Sequence, residues 1–283
     1  MHYAVDIAQK GFEDAPMIDI SQIMNYEVMK HSLITQLIPV AGNEDMLANI
    51  PHKQIEDLAL VYRISVGRDE HGQSTILVKN DMLDRYGITA EQLHEDAMMS
   101  APLIEAPSMK TLFETTAEIM GEDFFELMGE VEPAMSDVYV CTNESKHHGA
   151  SVLMYPDFMD EVADKLGGDF YIIPSSIHET LLFPAKNVEN YHDLEAMVCE
   201  VNETQVAPEE RLSDNVYHYD AEAKVFELAK HQEERIADME KDSGDRDEKA
   251  SVLKDLTAKS KEVAEKAPKE HATPKKSRAE EAL

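Results

Sequence analysis

The run Asp57–Val66, DLALVYRISV, constrains the fold of this chain more than any other segment. It is rich in Leu, Val, Tyr and Ile, residues that fit a pleated, half-buried surface, and it reads as a β-strand. The polar turn GRDEHGQ follows, and Ser74–Val78 (STILV) completes a hairpin. Helical patterns come next at Asp81–Tyr86, Thr89–Met99 and Ser108–Met120, with Thr89 and Gln92 spaced as a capping box. A hairpin followed by a run of helices places the chain in the α+β class, with β-hairpins and a mixed sheet packed against short helices.

Upstream, Ile20–Lys30 reads as a short helix and His31–Val40 as a strand, with Pro39 marking an edge or an end. Downstream the theme returns. Asp137–Thr142 (DVYVCT) is a strand, NESKHHG a turn, and Ala150–Tyr155 (ASVLMY) the partner strand. Asp157–Leu166 carries Phe158, Met159, Val162 and Leu166 in a helical stripe that Gly167-Gly168 ends. Phe170–Ile173 and Val216–Asp220 are further strands and Tyr191–Val201 a helix. Residues 223–228 fit either a hairpin partner or the start of a tail helix.

Residues 76–84 (ILVKNDMLD) and 152–160 (VLMYPDFMD) align without gaps. The echo fits two related hairpin-helix units, at 20–120 and 135–228. It also fits convergence, because aspartate is favoured at any helix N-terminus. Beyond 228 the composition turns to Lys, Glu, Asp, Ala and Ser. Such a segment buries too little apolar surface to offset its ordering entropy. The expected organisation is a poorly ordered lead-in over 1–19, one α+β domain over 20–228, and a charged tail over 229–283, helical and then disordered.

The chain holds 26 basic and 57 acidic side chains, a net charge of −31. Residues 230–283 contribute 13 basic and 14 acidic groups, so residues 1–229 carry a net −30. Phosphate backbones repel such a body, and direct nucleic-acid binding is excluded on that ground. The expected partners are a basic protein or a second copy of the chain. No stretch approaches the roughly 18 apolar residues of a membrane span. The start MHYAVDIAQKGFEDAP lacks the basic and apolar regions of a signal peptide. Two cysteines, Cys141 and Cys199, make no disulfide framework. Together these features predict a cytoplasmic protein that does not bind membranes.

Five motifs carry a family resemblance: Ile50–Arg63 (IPHKQIEDLALVYR), Cys141–Lys146 with Gly149-Ala150, Tyr171–Glu179 (YIIPSSIHE), Glu200–Glu209 (EVNETQVAPE) and Leu212–Tyr219 (LSDNVYHY). In this order they resemble the DUF5688 family of gut anaerobic bacteria, a family defined by its domain of unknown function. The resemblance runs over about residues 20–228, and it implies no activity, cofactor or metal. It implies that the tail is an appendage. Members usually begin with an additional hairpin-then-helix segment, which nothing before Ile20 matches, so a shortened chain with an exposed sheet edge is expected.

The most site-like stretch is Pro174-Ser-Ser-Ile-His-Glu179, directly after the FYII strand. Ser175 or Ser176, His178 and Asn143, supported by His52, are the candidate catalytic residues of an enzyme, hydrolytic in its simplest form. The structural alternative is a capping box, Ser176 to Glu179, with His178 an ordinary turn residue. His52 and Glu56 have the spacing of a helical metal pair but lack a third ligand. His147 and His148 read as a solvated turn, and Asn143 as a strand-end turn former. The methionines, Met98-Met99 and the Met120/Met128 pair among them, read as adaptable core packing. No nucleotide-binding or hydrolase signature is present, and no cofactor or metal is expected. The leading expectation is a non-catalytic acidic interaction protein. An enzyme of unknown class is the alternative, and a fragment without independent function the third reading.

Overall fold

The computed structural model describes residues 23–69, 72–121, 137–174 and 176–239. The expectations for the lead-in 1–19, for Ser175, for Met128 and for the tail beyond 239 fall outside them. The chain divides into two compact units, Met1–Gln232 and Glu233–Leu283. In the second unit, the described residues 233–239 are helical.

The first unit is α+β. A short helix α1 (Tyr26–Met29) and a 3-10 turn lead into β1 (Leu33–Pro39). Asn25 interrupts the helix expected over Ile20–Lys30. Its side chain accepts the Glu27 N–H at 3.1 Å and caps α1 as a fresh start. After α2 (Glu44–Leu47) come β2 (His52–Ile55), β3 (Leu58–Asp69) and β4 (Gly72–Leu77), then α3 (Asn80–Tyr86) and α4 (Ala90–Ile104). Thr89 caps α4 by accepting the Gln92 N–H at 3.2 Å, while the Gln92 side chain turns to Asp96 instead of back to the cap.

Strand β3 organises the first sheet. β1 pairs along one edge, and β2 and β4 share the other. Both faces of β3 are covered, which is why its apolar residues run consecutively. Leu58, Leu60, Tyr62 and Ile64 pack in the main core with Leu93, Ala97 and Ala101 of α4. Ala59 and Val61 point the other way, against Ile38, Leu47 and Ile50. Each fully buried leucine here contributes about 2 kcal/mol relative to exposure. The same alternation puts Arg63 and, across the register, Gln36 on the Ala59/Val61 face.

The second sheet is built from β5 (Pro107–Thr111), β6 (Tyr139–Asn143), β7 (Phe170–Ile173), β8 (Thr180–Pro184), β9 (Tyr217–Asp220) and β10 (Val225–Leu228), in the order β10-β9-β7-β8-β6-β5. Helices α5 (Leu112–Met120), α6 (Pro156–Leu166) and α7 (Tyr191–Thr204) join its strands. Of the two readings of residues 223–228, the hairpin partner is the one found. All these pairings are antiparallel, where a mixed sheet was expected.

Several elements differ from expectation, three of them where pairing overrides local pattern. The helix predicted over Ser108–Met120 starts at Leu112, since 107–111 is claimed as a strand by β6. A capping box between Thr111 and Glu114 then opens the helix. The strand predicted at Ala150–Tyr155 is a buried 3-10 turn, Gly149–Met154. Both edges of β6 are already taken, by β5 and by β8. Two further strands are unpredicted, β2 and β8, and β8 follows the Ser-Ile-His-Glu stretch directly. The aligned segments 76–84 and 152–160 therefore share only their helices, because 76–77 is strand and 152–154 is 3-10 turn. Nor do all methionines fill the core: Met99 and Met120 are 65% and 58% exposed.

Candidate functional site

β6 ends at Asn143, which is buried although polar. Its Oδ1 accepts the His147 N–H at 3.2 Å and the Ser145 hydroxyl at 3.0 Å, and its Nδ2 donates to the His147 carbonyl at 2.8 Å. The Ser145 hydroxyl lies 2.7 Å from Oε2 of the buried Glu105. The side chain thus supplies the bonds that a backbone turn would make, as expected of asparagine at a strand end. The turn holds Lys146 and His148 in the left-handed region, at φ 55° and 52°. Each costs of order 1 kcal/mol, which the surrounding bonds must offset.

Gly149 lets this turn meet the next one. A Cβ built on it would lie 2.2 Å from Thr142 Oγ1, 2.5 Å from the His178 carbonyl oxygen and 2.7 Å from the Asn143 nitrogen. Segment 176–179 packs into that space. The Thr142 hydroxyl donates to the His178 carbonyl at 2.7 Å, and the Ala150 N–H donates to the Ile177 carbonyl at 3.2 Å. Ile177 N–H in turn donates to the Glu210 carbonyl at 2.9 Å.

Three imidazoles converge as a result. The His148 and His178 rings stack with centroids 5.5 Å apart, and His147 meets His178 edge-on at 5.3 Å. His148 N–H donates to His178 Nδ1 at 3.2 Å, so neutral His178 carries its proton on Nε2, which lies 3.7 Å from Glu210 Oε1. A second chain of bonds fixes His148. Arg63 Nη1 donates to Gln36 Oε1 at 3.3 Å, which directs Gln36 Nε2 to His148 Nδ1 at 3.0 Å. His148 therefore also carries its proton on Nε2. Burial first, then the neighbouring His178, Arg63 and His147, push its pKa down to about 4.

Of the predicted site residues, the structure brings Asn143 and His178 together. Ser176 is nearby in sequence but serves the turn. Its hydroxyl accepts the N–H groups of His178 at 3.0 Å and Glu179 at 3.2 Å. This is half of the expected capping box. The reciprocal bond runs from Ser176 N–H to the Glu179 carbonyl, and the chain enters β8 instead of a helix. His52 stays apart on β2, where Val61 stands between it and Gln36, and its Nδ1 lies 3.1 Å from the Ile50 carbonyl. It shares no helix face with Glu56, a turn residue at φ 55° whose carboxylate lies 3.0 Å from His231 Nδ1. The sequence predicts a solvated turn at His147 and His148, yet His148 is half-buried and central. Gln36, Arg63 and Glu210 gave no signal in sequence, because only the sheet register and the turn contacts deliver them here.

Among the described residues, no group of three or more His, Cys, Asp and Glu side chains is arranged to hold a metal ion. No helix among them is long and apolar enough to cross a membrane. Cys141, the cysteine of β6, is buried, and burial pushes its thiol pKa well above the ordinary range.

No curated protein and no solved structure matches the chain. A sequence model of DUF5688, a family of unknown function, matches residues 1–221. The match includes the first nineteen residues, ahead of the point at Ile20 where the recognisable motifs begin. With most of its length matched, this chain belongs to the DUF5688 family, a family of unknown function.

Proposed function

We propose that this protein is a non-catalytic, acidic interaction protein of the cytoplasm whose body, residues 20–228, docks a basic partner protein. The observation that carries the reading is the distribution of charge. Residues 1–229 hold a net −30, and four of the 13 cations there are already engaged in ion pairs. Lys30 holds Glu27 at 2.6 Å, Arg85 holds Asp81 at 2.7 Å, Lys224 holds Asp160 at 2.6 Å, and Lys110 holds Glu118. Much of the acidic surplus therefore remains for a partner. Fields of this kind steer association and weaken steeply with salt. Site chemistry points the same way, since the Ser176 hydroxyl is occupied as a turn acceptor and His178 Nδ1 is taken by backbone.

Calorimetric titration of the full chain with a lysine-rich peptide, at low and at physiological salt, tests the reading. Saturable binding that weakens at least tenfold with salt is expected. Heats no larger than those given by a neutral peptide of equal length would remove its support. An assay of self-association across the micromolar range covers the case of a second copy as partner.

A hydrolytic enzyme is the second reading, favoured by the meeting of Asn143 and His178 with two further imidazoles. It requires that His178→Ala abolish hydrolysis of an activated ester while the melting temperature holds. Absence of turnover by the wild-type chain removes it.

A further inference from the structure

Arg63 stands out in a body so rich in carboxylates. Its guanidinium is half-buried, and among the described residues its partners are neutral: Nε donates to Thr75 Oγ1 at 2.7 Å and Nη1 to Gln36 Oε1 at 3.3 Å. No ion pair to Arg63 occurs among the described residues, whereas Lys30, Arg85, Lys110 and Lys224 each hold an acid. Partial burial of a guanidinium without an anion is unfavourable, and desolvation lowers its pKa here with no carboxylate to oppose the effect.

Sheet geometry explains why the group is held in this state. Ile34 lies directly opposite Arg63 on β1 and Leu77 on β4, so both directly facing positions are apolar. The neutral Gln36 and Thr75 are diagonal neighbours on the same face, and they grip two of the five guanidinium N–H donors. This grip fixes the plane of the fork and leaves N–H groups on Nη1 and Nη2 for a further partner. A fixed, partly desolvated fork is the arrangement that recognises two oxygens of one anion. The adjoining imidazoles of His148 and His178 add Nε2–H donors, that of His178 lying 3.7 Å from Glu210 Oε1.

We propose that Arg63, oriented by Thr75 and Gln36 beside His148, binds a small oxyanion, the carboxylate or phosphate group of a ligand. This site is independent of the acidic surface and of any basic partner.

The test follows the His148 ring proton by NMR while inorganic phosphate, and separately acetate, is added to the full chain at constant ionic strength. Saturable shifts with one of the two probes at concentrations up to about 10 mM are expected, the weak range of single-group ligands. The more effective probe distinguishes a phosphate from a carboxylate ligand. Arg63→Met should weaken saturation by at least about tenfold. Gln36→Glu provides the variant that keeps the fold. It supplies Arg63 with an internal carboxylate, whose second oxygen accepts from His148 Nδ1 once that ring moves its proton there, and it should weaken binding to a similar degree. Absence of saturable shifts with both probes overturns the proposal, as does equal affinity in the wild type and Gln36→Glu.

Discussion

The backbone N–H of His148 donates to Nδ1 of His178 at 3.2 Å, across thirty residues of chain. One bond thereby joins the turn after β6 to the segment before β8 and sets the tautomer of His178. Its counterpart is the bond between Gln36 Nε2 and His148 Nδ1, which sets the tautomer of the second ring. Both imidazoles are positioned through Nδ1, leaving each Nε2–H as the group that can act on something else.

Stability should fall with acid through His148. Its folded pKa of about 4 lies below the ordinary histidine value, so between those limits the unfolded chain binds the extra proton. The contribution is fully present above about pH 6.5, is lost as pH falls towards about 4, and is constant below that. Denaturant melts across this range should show the decline. In His148→Asn, whose side chain tolerates the left-handed backbone, the slope between those pH values should flatten. An unchanged slope would assign the acid sensitivity to carboxylates.

Gly149→Ala should be among the most damaging single changes in the molecule. The added Cβ meets the His178 carbonyl and the Asn143 nitrogen at 2.5 and 2.7 Å, and backbone atoms cannot rotate away. A loss of about 3 kcal/mol in denaturant melts is expected, with the histidine ring resonances displaced together. An alanine variant of wild-type stability would mean that the two turns do not pack as described.

Asp57 should prove a structural anchor linking the β2–β3 turn to the C-terminal strands. Its Oδ1 accepts the Tyr217 hydroxyl at 2.6 Å, and its Oδ2 accepts Ser213 Oγ at 2.7 Å and Asn215 Nδ2 at 2.9 Å. Asp57→Ala strands a buried phenol and two further donors and should cost about 3 kcal/mol. Tyr217→Phe removes one bond and should cost about 1.5 kcal/mol. Chemical denaturation of both variants checks the order, which reverses if the phenol alone carries the link.

The two cysteines should differ in reactivity. Cys199 is exposed on α7, whereas Cys141 is fully buried with its thiol shifted towards the protonated form. A thiol reagent should modify one equivalent rapidly in the native protein and the second only on unfolding. Rapid modification of both would show that β6 opens readily.

Much of the fold was legible because period and punctuation are local. DLALVYRISV announced β3, Thr89 announced the start of α4, and Gly167, at φ 84°, announced the end of α6. The failures cluster where one segment has several partners to choose from. Pro107–Thr111 carries a helical pattern, but β6 offers an open edge, and the ladder of pairs from Pro107↔Asn143 to Thr111↔Tyr139 prevails. With that edge filled, and β8 on the other, Ala150–Tyr155 has no strand to join and coils instead. Propensity is worth tenths of a kcal/mol per residue, and an unmade backbone bond in the interior costs more.

The site divides along the same line. Sequence by itself determined the α+β class, the acidic body, Asn143 as a turn former and the turn at Ser176-Ile-His-Glu179. Each depends on residues within a few positions of one another. Tertiary structure alone decided that His148 stacks on His178, that Arg63 shares a face with Gln36 and Thr75, and that Gly149 is the contact between two turns. Those relations follow from strand register and from which edges remain open. Both are set by burial and hydrogen bonding summed over the whole domain, and no window of sequence contains that sum.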